Sequence, residues 1–381
     1  MEISKGHSFQ TDGGQAVEEA IAAWSQVQRD KIDFLLIYYS TKQSAEQVAA
    51  ALNHHFPDTP MAGCSTAGEF LDNARYEGSL VILGVHSSGI RWQVGCLTNV
   101  HQFDPLTTQP LLEELASGLG TPLGELSPEK HFAIVIQDGL SMKEELITAS
   151  LAMQLKEVTL LGGSAGDDLQ FNKTTQIING QAVSDAAVVI LGESELPFTI
   201  IKDQHYVPKG ELVVVTDADV KNRRVDTLDG RAAAEVFAEL VEVPYDELAA
   251  FDFGRNPLIY SERGEHYVRS IQKIEDDGAL TFYCAIEPGM LLELGERESP
   301  LENLQNSLDK TETSLGSVEL LFVFSGILCK LETDDQSERA YWGEMLHQFS
   351  NNVIGFDTYG EQLNGLHINQ TLVAIGFHNS P

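Results

Sequence analysis

The sequence predicts an α/β protein of mixed α/β layers, built from repeated strand–helix–strand–strand units in two halves. Three observations carry that expectation. Apolar runs of strand length alternate with amphipathic helical stretches. A short glycine-rich turn recurs three times, each time closing a strand–helix–strand segment: Gly63-Cys64-Ser65-Thr66-Ala67-Gly68-Glu69, Gly162-Gly163-Ser164-Ala165-Gly166-Asp167-Asp168 and Gly355-Phe356-Asp357-Thr358-Tyr359-Gly360-Glu361. The 381 residues are 43% apolar, enough for a sizeable core.

The elements follow in order. Val17, Ala20, Ile21 and Trp24 recur at helical spacing and predict a helix over Gln15 to Val27. Phe34 to Tyr39 is a buried strand, and Ser44 and Gln47 have capping-box spacing for a helix reaching about Phe56. Pro57 and Pro60 end that helix, the first turn follows, and strands over Ser79 to His86 and Ile90 to Leu97 complete the unit. A helix over 111–119 precedes the second unit. That unit has a strand at 132–136, a helix opened by Ser141 and Glu144 and running to about Leu155, and the second turn after Thr159-Leu160-Leu161. Asn179-Gly180 between β-rich runs is a type I′ hairpin signal, and Phe198 to Lys202 is a strand.

Pro208 and Gly210 mark the break between halves, 1–208 with two units and 209–381 with the rest. The second half holds a strand at Glu211 to Thr216 and a helix at Arg231 to Val241. A hairpin of His266 to Ile274 and Leu280 to Ile286 turns at Asp277-Gly278. The third unit then has strand Leu320 to Ile327, helix Ser337 to Phe349, the last turn and a strand from His367 to Phe377.

Twenty-four Lys and Arg stand against 57 acids, a formal charge of −33. Such a surface repels phosphate backbones and anionic lipid, so neither nucleic acid nor membrane is an expected partner. The N-terminus has no basic segment followed by an apolar one, and the run Ala186 to Leu191 is too short to span a bilayer. Cys64, Cys96, Cys284 and Cys329 are widely separated, with no zinc or disulfide spacing, which fits the reducing cytoplasm. Each glycine turn lies after a helix rather than before one, the wrong order for a dinucleotide fingerprint or a phosphate loop.

The three turns, with His367-Ile368-Asn369-Gln370-Thr371 and Cys284-Ala285-Ile286-Glu287-Pro288-Gly289-Met290, resemble the signature segments of FIST-domain proteins from about Lys31 to Phe377. The resemblance implies an intracellular sensory module with N-terminal and C-terminal FIST halves that binds small ligands. No output domain is visible, so the expected output is a separate signalling partner. Stand-alone bacterial members of this length also resemble nitric-oxide-sensing haem proteins that regulate a histidine kinase. Haem, nitric oxide and a histidine kinase partner are therefore further expectations.

For the ligand, backbone amides and the side chains of Ser65, Thr66, Ser164, Asp357 and Thr358 are expected around a polar molecule, with Gly68, Gly163 and Gly166 admitting its close approach. Glu69, Asp167, Asp168 and Glu361 would receive an ammonium group and Arg269 a carboxylate, which together suit an amino acid. Haem would need an axial residue, for which His266 and His367 are the candidates; no Cys-x-x-Cys-His attachment motif is present. The alternative is a hydrolase using Cys64, for which no sequence neighbour supplies a base. A binding protein rather than an enzyme is the expectation.

Overall fold

The computed structural model describes residues 1–378 apart from 263, 316 and 333–335. With 29% helix and 40% strand in several mixed sheets, it has the expected mixed α/β architecture.

Each unit contributes two parallel strands joined by a helix: Phe34–Tyr39 with Met61–Ser65, His131–Asp138 with Thr159–Ala165, and Val318–Gly326 with Val353–Thr358. A short hairpin and an antiparallel strand follow, the latter being Leu80–His86, Ala186–Ser194 or Leu372–His378. Period-two alternation sends the two faces of every central strand to different cores. Phe34, Leu36 and Tyr38 point into a cluster shared with Phe132, Ile134, Phe322 and Phe324 of the other units. Leu35, Ile37 and Tyr39 pack instead under the unit's own helices. Three sheets thus surround one apolar centre, each covered outside by helices.

The hairpins are exchanged between units. Glu69–Leu71 and Ala74–Tyr76 of unit one extend the sheet of unit three. Gln176–Ile178 and Gln181–Val183 of unit two extend the sheet of unit one, and Glu361–Leu363 and Leu366–Ile368 of unit three extend that of unit two. At the opposite edges, Ile90–Thr98 of unit one joins sheet two and Phe198–Asp203 of unit two joins sheet three. The N-terminal strand Glu2–Ser8 takes the corresponding edge of sheet one. Strand Phe198–Asp203 therefore ties the segment 1–208 into a sheet built mainly by the C-terminal segment.

Residues 206–297 form the remaining body, a nine-stranded sheet with helix Ala233–Leu240 and its own core around Phe237, Val225 and Leu292. Helix Pro300–Leu315 leads back to unit three.

Several elements differ from expectation, each for a local reason. The first helix spans only Gly13–Ile21, capped by Asp12, and Ser25 starts a separate turn, Gln26–Arg29. Ser44 caps its helix, but the Gln47 carboxamide oxygen accepts the Gly13 amide instead of completing the box. Ser141 does not form the expected box: its hydroxyl donates to the Asp138 carbonyl and accepts the Lys143 amide, and the helix begins at Glu144. Strand His266–Ile274 breaks at Ser270 into Glu265–Arg269 and Ile271–Ile274, which pair with different partners, and Tyr283 to Ile286 lie beyond the strand Leu280–Phe282. His367 belongs to an exchanged hairpin rather than to the last strand.

The glycine turns meet pairwise where the hairpins cross. The Ser65 amide donates to the Thr175 carbonyl at 2.8 Å, Ser164 to Gly360 at 2.9 Å, and Asp357 to Gly68 at 2.8 Å. Gly68 and Gly360 have φ of +150° and +151°, and a Cβ would lie 2.3 Å from Asp357 Oδ2 at Gly68 and 2.1 Å from His367 Cε1 at Gly360. Only glycine fits there. A carboxyl fastens each of those two turns. Glu69 accepts from Thr66 Oγ1 at 2.5 Å and Ser79 Oγ at 2.6 Å; Glu361 accepts from Thr358 Oγ1 at 2.7 Å and the Thr371 amide at 3.3 Å. Unit two carries Gln176 at the matching register, opposite Cys64 as Glu69 is opposite Phe356 and Glu361 opposite Gly163.

Burial pushes the Glu69 carboxyl up to about 7 and Glu361 up to about 8. Both keep a proton in the folded chain at pH values where the unfolded chain has released it. Stability should therefore fall as pH rises from about 4.5, by about 1.4 kcal/mol per pH unit for each carboxyl, until Glu69 and then Glu361 ionise. Replacing both by Gln, the residue of unit two, is expected to flatten this decline. Thermal melts of wild type and Glu69→Gln/Glu361→Gln between pH 5 and pH 8 test it; parallel curves would contradict the assignment.

Candidate functional site

A cavity of about 170 Å³ opens between units two and three and the nine-stranded body. Gly139 and Met142, just after the first strand of unit two, and Gly326 to Leu328, at the matching point of unit three, form one side. The third glycine turn forms the floor, and Arg223, Gln272, Phe282 and Tyr283 face it from the nine-stranded body.

The segment 167–173, a longer connection than the other turns have, forms a wall. Asp168, Leu169 and Phe171 adopt left-handed backbone with φ of 55°, 61° and 54°, at about 1 kcal/mol or more each for residues other than glycine. Two aspartates hold it. Asp167 accepts the amides of Phe171 (2.9 Å), Asn172 (2.6 Å) and Lys173 (2.9 Å) and the Tyr359 hydroxyl (2.6 Å). Asp168 accepts from Ser40 Oγ (2.8 Å) and from the amide and hydroxyl of Thr41 (2.8 and 2.6 Å). The wall is thereby pinned to units three and one, with Phe171 stacked on Tyr359 at 5.1 Å.

The polar end centres on Arg223, itself left-handed at φ 52° and 7% exposed. Its Nη2 donates to Glu144 at 2.5 Å and Glu145 at 2.9 Å, and its Nη1 to the Tyr283 carbonyl at 2.9 Å. Burial opposes the charged guanidinium, but Glu144 and Glu145 outweigh it and hold its proton more tightly than usual. Gln272 and the Tyr283 hydroxyl line the cavity without a hydrogen bond among the described residues. Opposite them lie Leu140, Ile327 and Leu328, with Phe282 beside Tyr283. The arrangement suits a small molecule with an apolar body and a hydrogen-bonding head.

The turns do converge, yet most of the expected side chains serve the convergence itself. Thr358, Gly360 and Glu361 line the cavity. Ser65 is buried, donating to the Gly166 carbonyl at 2.7 Å and accepting the Thr175 amide at 3.0 Å. Thr66 and Glu69 bond each other, and Ser164 accepts from Gln362. Asp357 is fully buried against Arg75 and Lys330. Gly163 and Gly166 accommodate Thr358 and Tyr359: a Cβ would come within 2.4 Å and 3.0 Å of those side chains. Asp167 and Asp168 spend their oxygens on backbone and hydroxyl donors. Arg269, 3% exposed, donates Nη1 to the His367 carbonyl at 2.8 Å rather than meeting a carboxylate. Sequence reasoning missed Arg223, Gln272 and Tyr283; they sit in turn and strand text whose only signal is the neighbouring FIST-like segment from Cys284.

The cavity offers a haem neither imidazole nor thiolate, since no histidine or cysteine is among the residues lining it. His367 is 2% exposed, has Nδ1 against Gln362 and lies over Gly360; burial pushes its imidazole down to about 4. His266 sits on a partly exposed strand with Nδ1 2.9 Å from Ser261 Oγ. Cys64 is wholly buried, and desolvation pushes its thiol well above the usual range, so no thiolate is available there. His101, Asp138 and Asp185 bring ligand atoms within 4.8 Å of one another, but His101 is bonded to Asp185, and Asp138 to Thr174 and the Leu140 amide.

Comparison with known proteins gives a consistent assignment. The family model of the FIST N domain matches residues 33–231, and that of the FIST C domain matches residues 233–364. An uncharacterized protein of Methanocaldococcus jannaschii is 23% identical over 316 residues, which cover 78% of this chain. The aligned region spans 61% of that relative's length.

Asp167→Ala removes the acceptor for three consecutive amides and is expected to destabilise the protein by about 2–3 kcal/mol. Amide exchange should accelerate at 171–173 first, while strand Phe34–Tyr39 keeps its protection. Unchanged exchange at 171–173 would show that Asp167 does not hold the wall.

Proposed function

The chain belongs to the FIST family, and we propose that it senses a small amphipathic ligand in the cavity beside the third turn and acts on a separate signalling partner. FIST domains bind small ligands in signalling. The observation that carries the finer reading is the make-up of the cavity wall, where apolar Leu140, Phe282, Ile327 and Leu328 stand beside Gln272 and the Tyr283 hydroxyl, which make no hydrogen bond among the described residues. Hydrogen-bonding groups in a cavity wall favour ligands whose polar head they can reach.

The state of Glu361 narrows the ligand. With its carboxyl pushed up to about 8, it is mostly neutral at pH 7 and offers little charge to an ammonium group. Arg223 already faces two glutamates, which weakens its pull on a strong anion. An uncharged or weakly acidic molecule with an aromatic or branched apolar body suits this site better than a free amino acid. The amino-acid reading loses the acceptors Glu69, Asp167 and Asp168, which are committed elsewhere. A haem-borne response to nitric oxide, passed to a histidine kinase, is the competing proposal; the absence of a free imidazole in the cavity wall counts against it.

The test is a thermal-shift panel of neutral aromatic, amino-acid and hemin probes. A neutral aromatic probe should raise the midpoint in a concentration-dependent way. Gln272→Ala and Tyr283→Phe should each weaken that binding about tenfold while leaving the ligand-free midpoint in place. No shift with any probe would remove the reading, and a Soret band at stoichiometric hemin would replace it with the haem proposal.

A further inference from the structure

The three units place equivalent helices on the outside of the molecule, and one differs. On Ala45–His55 the exposed positions are Glu46, Gln47, Ala50, Asn53 and His54. On the described outer face of Gln336–Phe349 they are Ala340, Tyr341, Glu344 and Gln348. On Glu144–Leu155 they are Leu146, Ala149 and Met153, spaced three and four residues apart, and Met142 is exposed two residues before the helix. Leu146, Ala149 and Met153 form a helical stripe, and Met142 stands before its first turn in left-handed backbone. Met142 is 42% exposed, Leu146 43% and Met153 68%. The inner face of the same helix is apolar as well, with Ile147, Leu151 and Leu155 in the core. A helix apolar on both faces ordinarily has both covered.

Two further exposed apolar side chains lie on neighbouring segments. Leu106, 81% exposed, lies on a turn packed against this helix. Phe171, 54% exposed, shares the rim of the cavity with Met142. Met142, which lines the cavity, precedes the helix that carries the stripe by two residues.

We propose that this face docks a cationic amphipathic helix of a partner protein. The apolar stripe supplies the contact, and two methionines make it adaptable in shape. Charge selects the occupant. The chain carries −33, and the neighbouring helix Thr108–Leu119 exposes Glu113 and Glu114 with no basic residue, while Lys143 and Lys156 mark only the ends of the stripe. A lysine- or arginine-flanked helix is drawn to such a surface; a second copy of the chain brings another −33 and is repelled. The inference rests on the reading that the chain acts through a separate partner, and it identifies where.

The experiment uses the full chain and a fluorescent synthetic helix of leucine and lysine, its leucines at helical spacing, with a leucine–glutamate helix as counterpart. Wild type should bind the leucine–lysine helix and not the counterpart. Leu146→Ser/Met153→Ser should weaken that binding about tenfold or more. Val27→Ser/Leu212→Ser, changing exposed apolar residues elsewhere, should leave it unaltered. Circular dichroism checks that both variants are folded. Equal binding by the two variants would overturn the proposal in favour of a general acidic field, as would capture of the leucine–glutamate helix. Sedimentation supplies a further decision: a wild-type dimer that Leu146→Ser/Met153→Ser dissociates would assign the face to a second copy. The peptide assay is run without ligand, so its failure leaves a thermal shift by a cavity ligand standing.

Discussion

Everything in this molecule depends on three backbone hydrogen bonds, from the amides of Ser65, Ser164 and Asp357 to the carbonyls of Thr175, Gly360 and Gly68. Each joins the end of one unit's central strand to the start of another unit's hairpin. Because the turns cross at close range, no Cβ fits at Gly68 or Gly360, and the polar side chains beside them must find partners without water. Thr66 with Glu69 and Thr358 with Glu361 are that solution, and their upward-shifted carboxyls are its cost.

The candidate site is a by-product of this geometry made specific by additions. Unit two lengthens its connection to form the wall at 167–173, and the nine-stranded body brings Arg223, Gln272 and Tyr283 against the third turn. The junction between that body and the rest is largely polar: Arg223 with Glu144 and Glu145, Arg269 with the His367 carbonyl, and Gln370 with Ser270 and the Gly254 carbonyl. A cavity at a polar junction ties its occupancy to how firmly the two bodies hold together.

Much of the fold was legible because central strands are continuous apolar runs and the three turns repeat their spacing. Phe34–Tyr39 and the Asn179-Gly180 hairpin carry their own local signals. Exchange between units was not legible, because pairings such as Ile354 with Leu71 leave no mark on either segment alone. Three-residue hairpin strands are also too short for periodicity to register. In the site, the third turn was found through its motif, and Thr358 and Glu361 do line the cavity. Ser65 and Ser164 carry the same motif but turn inward, since a hydroxyl in a crossing turn serves a neighbouring carbonyl or amide as readily as a ligand. Arg223 gave no warning, its role being set by Glu144 and Glu145 almost eighty residues earlier in the chain.

The exchanged hairpin of unit one has a consequence for how the chain reaches this state. Arg75 meets Asp357 across a separation of 282 residues, and strand Glu69–Leu71, paired on one side with Ala74–Tyr76 of its own hairpin, pairs on the other with Val353–Thr358. While the polypeptide is being synthesised, that hairpin waits with an unpaired edge until nearly the whole chain has emerged. Ring closure is then the last long-range event, slow because it joins distant segments. In a crowded polysome the waiting edge can be met first by the third unit of a neighbouring chain, giving a domain-swapped assembly built from the same hydrogen bonds.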